Sequence, residues 1–338
     1  MKVLSQGDMA QTLLLRRQNS ELKATLGRLA YEASSGRKSD TAAAVGGDFR
    51  VLASIEHSLT LAAAYRTAAS EAATLAGSLQ AAFGTIHTLA ADLAPALNAA
   101  GTAGGATQVA SVSQDARQKL FSTVSSLNLR IGDRYALSGD ATDRKPILGA
   151  QEILDALGTA ITGQPSATGA IGAIDAWFDA PAGGGGFLDT IYGGSATPLA
   201  PFRIAEGETS EMTITAADPT LRDMLKGLAI AAIVDEGALP GDLAGQALLL
   251  KTAGSRLMTS GQDLALLRAD LGTTEQTIAE ARTHSATEQS ALEIARNRIV
   301  AADPYDTATE LEAARVQLET LYALTARLSR LSLADYLR

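Results

Sequence analysis

Apolar residues return along this chain at steps of three and four over most of its length, and at steps of two over one short stretch. The first pattern is the signature of helices with one buried face, and the second of a half-buried strand. Leu15, Leu22, Leu26, Leu29 and Ala33 share a face and predict a helix over residues 8–35, closed by Gly36 of SSGRKSD as a C-cap. A second helix is predicted over 48–93. Leu52, Ile55 and Leu59 open its stripe, and Leu75, Leu79, Ala82, Ile86, Leu89 and Leu93 extend it as a coiled-coil-like seam. Pro95 and GTAGGAT (101–107) are expected to break that helix. A third carries Val109, Val112, Ala116, Leu120, Val124, Leu127 and Ile131, and is expected to end near Gly132.

From about residue 242 the helical period resumes through Leu257, Leu264, Leu267, Leu271, Ile278 and Ala281, then Leu292, Ala295 and Ile299. Asp303-Pro304 punctuates it, with Asp303 or Asp306 expected to cap a final helix whose stripe is Leu311, Ala314, Leu318, Leu321 and Leu328. LYALTARLSRLSLADYLR (321–338) keeps leucine coming through Leu324, Leu331, Leu333 and Leu337. Chain ends ordinarily fray, so this stripe needs something to cover it.

The segment 139–220 reads differently. It holds most of the prolines, the GGGG run at 183–186, and FRIAEGETSEMTITAADPT. The last alternates apolar and polar around EGE, with Phe202 and Ile204 before the turn and Met212 and Ile214 after it, which predicts a β-hairpin. Asp218 with Pro219 then predicts an N-cap and first helical turn. GGGG is expected to be a flexible linker. The fold class is therefore mainly α: an elongated long-helix rod with a small β-containing inserted domain. The division expected is 1–40, a terminal helix; 41–138, helical; 139–220, the insert; 221–300, helical again; and 301–338, the closing helix. The two ends must come together if their stripes are to be buried.

Composition agrees with helix-on-helix packing, since apolar residues are 46% of the chain but aromatics only 4%. The net charge of −9 argues against a nucleic-acid partner, which demands a basic face. No apolar run reaches the length of a membrane span, so no membrane insertion is expected. Asp8 precedes, and Arg16-Arg17 follow, the first apolar patch, the reverse of a secretory signal; any export is expected to use no cleavable leader of that kind. Without cysteine, disulfides and thiolate metal sites are excluded. Residues 1–40 hold seven Lys/Arg against four Asp/Glu, and residues 303–338 four against six. Exposed ion pairs contribute only about 0–1 kcal/mol each, so charge biases the pairing of the ends while apolar burial, at about 25 cal/mol per Å², must drive it.

Candidate chemistry is sparse. His57, His87 and His284 are the only histidines, none has another histidine one helical turn away, and all three are read as helix-surface or boundary residues. GGGG is not followed by Lys-Ser or Lys-Thr, so it is no phosphate loop, and no serine sits in a Gly-x-Ser-x-Gly elbow. No catalytic, cofactor-binding or metal-binding residue is expected, and the chain is read as a non-enzyme.

Four stretches carry a resemblance. LKATLGRLAYEASSGRKSD (22–40) resembles the N-terminal helix and Ser-Gly turn of the flagellin family. LETLYALTARLSRLSLADYL (318–337) is similar to its C-terminal helix, and DLALLRADLGTTEQTIAEAR (263–282) to the helix leading into it. NLRIGDRYALSGDATDRKPI (128–147) resembles the hook-associated junction proteins of that family, with Leu137 and Ile147 where phenylalanines are usual. SDTAAAVGGD (39–48) lacks the family's Asp-Asp-Pro. The resemblance implies a structural subunit of the bacterial flagellum, exported by the flagellar type III route with an export chaperone. It implies self-association in a ring, next to hook-associated protein and flagellin subunits, at the junction between hook and filament. A filament flagellin is the alternative, and a cytoplasmic helical signalling or chaperone module a more distant one. Under this reading the assembly interface is Leu15, Leu22, Leu26 and Leu29 with Leu311, Leu318, Leu321, Leu328, Leu331 and Leu337, whereas the stripes of 48–131 and 242–299 are intramolecular core.

Overall fold

The structure is a computed structural model that describes residues 3–336, with side chains from 9 to 327. In chain order its helices are α1 (Val3–Ser35), α2 (Thr41–Ala44), α3 (Arg50–Ala103), α4 (Ala106–Leu127), α5 (Ala150–Ala160), α6 (Ala167–Asp179), α7 (Phe187–Thr190), α8 (Pro219–Ala232), α9 (Leu243–Val300) and α10 (Pro304–Tyr336). Two antiparallel hairpins complete it: β1 (Arg130–Ile131) with β2 (Arg134–Tyr135), and β3 (Phe202–Ala205) with β4 (Glu208–Ser210). The mainly helical class with small β elements is as expected. The chain divides into two compact units, 1–63 with 286–338, and 64–285.

The larger unit, 64–285, contains one continuous apolar core. Leu79, Phe83, Ile86, Leu93 and Leu97 of α3 and Leu120 and Leu127 of α4 are almost wholly buried in it. So are Leu249, Leu250, Leu257 and Leu264 of α9. α8 is buried over most of its surface from Leu221 to Ala232, with Asp223 exposed and Lys226 buried against its ion-pair partners. α3 and α9 approach closely. A Cβ at Gly101 would stand 2.6 Å from the Lys251 amide nitrogen, and one at Gly254 2.9 Å from the Ala94 carbonyl oxygen. A reciprocal pair holds them further along, with Gln80 Nε2 donating to the Arg268 carbonyl and Arg268 Nε donating to Gln80 Oε1. Of the stripes expected to be intramolecular core over 48–131 and 242–299, the parts within the larger unit are largely so, Ile131 packing against the core from a strand as given below.

Sequence expectation and structure differ at four places. Pro95 does not break α3, which runs on to Ala103 and turns at Gly104. Proline removes one helical hydrogen bond, but the burial of Ala94, Leu97 and Ala100 carries the helix past it. The helix expected to reach Gly132 stops at Leu127, and Ile131 lies on β1 instead, because Gly132 takes φ +60° in the β1–β2 turn. The 202–214 hairpin is shorter than expected: β4 ends at Ser210, so Met212 and Ile214 follow the strand, and helices α5, α6 and α7 also occupy the insert.

The glycine run is the fourth difference. The amides of Gly183 and Gly185 donate to Asp189 Oδ1 and Oδ2 at 2.8 and 2.7 Å, so it is a pinned turn and not a flexible linker. These bonds, that from Gly183 first, hold the Asp189 carboxyl below the usual range.

Residues 128–147 show why their pattern is built as it is. The Asn128 side chain imitates a strand, donating from Nδ2 to the Ile147 carbonyl and accepting from the Ile147 amide, both at 2.9 Å. Ser138, fully buried, donates to the Arg144 carbonyl at 2.6 Å. Gly139 (φ +64°) lies where a Cβ would come within 2.3 Å of the Thr197 carbonyl oxygen. Leu137 and Ile147 fill the core beneath.

Candidate assembly surface

The terminal unit is organised by α1 and α10, which pack along each other. Asp303 starts α10 as expected, its Oδ1 accepting from the amides of Tyr305 at 2.8 Å and Asp306 at 3.2 Å, with Pro304 at the first position, where no amide is needed. Gly36 ends α1 as expected, at φ +67°, its amide donating to the Glu32 carbonyl.

Each helix has a buried stripe. On α1, Leu29 is fully buried and Leu15, Leu22 and Leu26 are half-buried; on α10, Thr307, Ala314 and Leu321 are buried and Leu311 and Leu318 half-buried. Across the pair, Arg28 reaches Glu310 at 4.0 Å. The structure thus brings together seven of the leucines named from the sequence as an assembly interface, as the covered side of a helix pair within one chain. The side chains of Leu328 and Leu331, and all of Leu337, lie outside the described residues.

Sequence reasoning missed the opposite sides. On α1, Met9, Leu13, Leu14 and Tyr31 are exposed; on α10, Tyr305, Val316, Tyr322 and Leu324 are. Leu13 is 64% and Tyr305 80% exposed, values that decide that nothing in the described chain covers them. At about 100° per residue, Leu13 and Tyr31 stand five turns apart on one line facing away from the Leu22–Leu29 stripe. Tyr305 and Val316 stand three turns apart on the side of α10 away from Leu311 and Leu318. Leu324, which continues the leucine spacing on paper, projects away from the stripe. The signal was available: an aromatic and a branched aliphatic eleven residues apart repeat on one face as surely as leucines seven apart. The exposed pairs Arg17–Glu21 and Arg315–Glu319 decorate these helices and contribute little to stability.

Chemistry that requires a pocket has little to work with. His57 and His284 are exposed on helices and His87 is half-buried. Among the described residues no cluster of His, Cys, Asp or Glu is placed to hold a metal, and no helix is long and apolar enough to cross a membrane. In the larger unit, buried Lys226 is matched by Asp179 at 2.7 Å and Asp223 at 3.1 Å, and Arg256 pairs with Asp175. These paired charges join α6 to α8 and α9.

No curated protein matches the chain. It is similar over 71% of its length, and over 95% of the other chain, to a solved structure named as a candidate flagellar hook-associated protein of Vibrio parahaemolyticus, at 11% identity and a TM-score of 0.41. That likeness is too distant to carry anything over. Residues 258–337 match the family model of the bacterial flagellin C-terminal helical region, a span that takes in all of α10 and α9 from Met258 onward. Over that span the chain is similar to the flagellin C-terminal helical region, the family that its closing leucine helix resembles.

Proposed function

We propose that this chain is a structural subunit of the bacterial flagellum that forms the junction between hook and filament. It acts by packing and not by catalysis: copies associate in a ring, beside hook-associated and flagellin neighbours, after type III export assisted by an export chaperone. The observation that carries the assembly reading is the pair of outward apolar lines on α1 and α10, of which α10 lies in the region that matches the flagellin C-terminal helices. Exposed apolar residues that share one face of a helix can serve as a contact site, and a subunit that is completed by its neighbours has a reason to keep them. The leucines of the inner stripes hold α1 to α10, and the outer lines meet other subunits.

The test is Leu13→Asp with Val316→Asp in the full chain. Monomer unfolding is expected to stay within about 0.5 kcal/mol of wild type, as for exposed positions generally, while incorporation into flagella is lost. Normal flagella from the double variant would overturn the assembly reading. A filament flagellin is the second reading, with which the match to the flagellin C-terminal helical region is equally compatible. Antibody labelling separates the two: a narrow band at the distal end of the hook supports the junction, and label along the whole filament supports the alternative.

A further inference from the structure

Glu32 lies in the last turn of α1, where a carboxylate faces the negative end of the helix dipole and is disfavoured. It is also buried, at 6% exposure, which penalises its charge again. A residue placed against both effects must be held by specific partners, and it is. Its Oε1 accepts from the Ser39 amide and the Ser39 hydroxyl, both at 3.0 Å, seven residues on and beyond the helix end. Arg28, one turn earlier, donates to both carboxylate oxygens at 3.2–3.3 Å and also faces Glu310 of α10. The carboxylate therefore folds residues 36–39 back over the end of α1.

That fold-back has a consequence on the other strand of the molecule. Residues 36–38 run antiparallel to 300–302, with Arg37 opposite Ala301. The Lys38 amide donates to the Val300 carbonyl at 2.8 Å, and the Ala302 amide to the Gly36 carbonyl at 3.0 Å. These two bonds join the exit of α1 to the corner between α9 and α10, and Gly36 in the left-handed region supplies the turn that aims its carbonyl there.

We propose that Glu32 is a clasp: by bonding Ser39 it fixes the 36–39 turn in the one shape that bridges to 300–302, and so sets the register of α1 against α10. The pairing of the terminal helices is then decided at this corner and not only along the leucine stripes. Opening the clasp frees α1 to slide or separate while both helices and the larger unit persist. The inference concerns the single chain and stands apart from the flagellar reading, because its readout needs no assembly.

The experiment is residue-resolved hydrogen exchange at neutral pH on the full-length chain, comparing wild type, Glu32→Gln, Ser39→Ala and Arg17→Ala. Glu32→Gln keeps the shape and removes the charge. It is expected to speed exchange of the Lys38 and Ala302 amides about tenfold or more, the order that loss of charge-assisted hydrogen bonds brings. Ser39→Ala removes only the hydroxyl bond and should give a smaller change at the same amides. Arg17→Ala, at an exposed ion pair, should give none. Exchange in α8 and in the core part of α9 should be unaltered throughout. Unchanged Lys38 and Ala302 amides in Glu32→Gln would overturn the clasp, and so would equal acceleration across α8, which would report general unfolding.

Discussion

Phe178 and Phe187 stack at 5.4 Å between ring centroids inside the larger unit, with no exposed surface, whereas Leu13 and Tyr305 of the terminal unit stand mostly in solvent. The contrast is general. The continuous core lies entirely within 64–285, and most of the large apolar side chains exposed among the described residues lie in the smaller terminal unit. Geometry accounts for it. Where helices pack from several directions, a helix such as α8 is covered over most of its surface, but two helices side by side share a single seam. A sequence that places apolar residues on both sides of such a pair leaves one side uncovered in the single chain. The difference between the units is thus a difference between a closed interior and a helix pair with one side left uncovered.

The largest effect that sharpens this contrast belongs to the closed interior. Phe178→Ala removes a fully buried ring that touches both Trp177 and Phe187, and is expected to destabilise the larger unit by about 3–5 kcal/mol. Denaturant unfolding of the full chain, followed by Trp177 fluorescence, measures it. A loss below about 1 kcal/mol would mean that this core is no better packed than the terminal pair.

How much of this was legible in the sequence depends on whether local period and tertiary environment agreed. The stripe Leu75, Leu79, Ala82, Ile86, Leu93 in α3 and that of Leu257, Leu264, Leu271, Ile278 in α9 are buried as their spacing implies. The capping residues Gly36, Asp218 and Asp303 do what their chemistry implies. Pro95 misled because its local cost is outweighed by long-range packing of its neighbours. The 130–135 hairpin was missed because Ile131 continues a helical spacing, and only Gly132 and Asn128 say otherwise. For the candidate surface, spacing showed which leucines align but not what they align against. A stripe that meets its partner within the chain and one that meets another copy look identical until the pairing of α1 with α10 is seen. The outward face was the harder half, because Leu13 and Tyr31, like Tyr305 and Val316, return to one face only after eighteen or eleven residues, beyond the three- and four-residue steps that announce a stripe.

Leu29→Ala comes next in size. Leu29 is the most deeply buried of the α1 stripe, and its truncation is expected to weaken the α1–α10 pair by about 2 kcal/mol, the low end for a buried leucine, since a two-helix seam collapses around a gap more readily than a close-packed core. Hydrogen exchange should quicken along α1 and α10 while the amides of α8 keep their protection. If α8 loosens equally, the two units are one cooperative body and the contrast between them is only one of exposure.

The smallest effect is an acid response that the terminal unit owes to Glu32. The Ser39 amide, first among its partners, then the Ser39 hydroxyl and Arg28, lower the Glu32 carboxyl from its ordinary 4.5, against the opposing pull of burial. A carboxyl whose folded value is depressed stabilises the fold fully above its unfolded value, and that contribution is lost as pH falls through the folded one. The 36–39 corner, faced by Arg28 and Glu310, is therefore expected to be indifferent to pH from neutral down to about 5 and to loosen only below 4.5. Proteolysis at Arg37-Lys38, with an acid-active protease over a pH series, reads it, and Glu32→Gln should be open already at neutral pH and flat across that range. Asp189 supplies the comparison in the larger unit, since its carboxyl is depressed by the Gly183 and Gly185 amides in the same way but closes only its own loop. Acid should therefore open that loop without disturbing α8, whereas at Glu32 it should release the pairing of two long helices. An identical acid profile in wild type and Glu32→Gln would place the response elsewhere and remove Glu32 from the terminal unit's defining features.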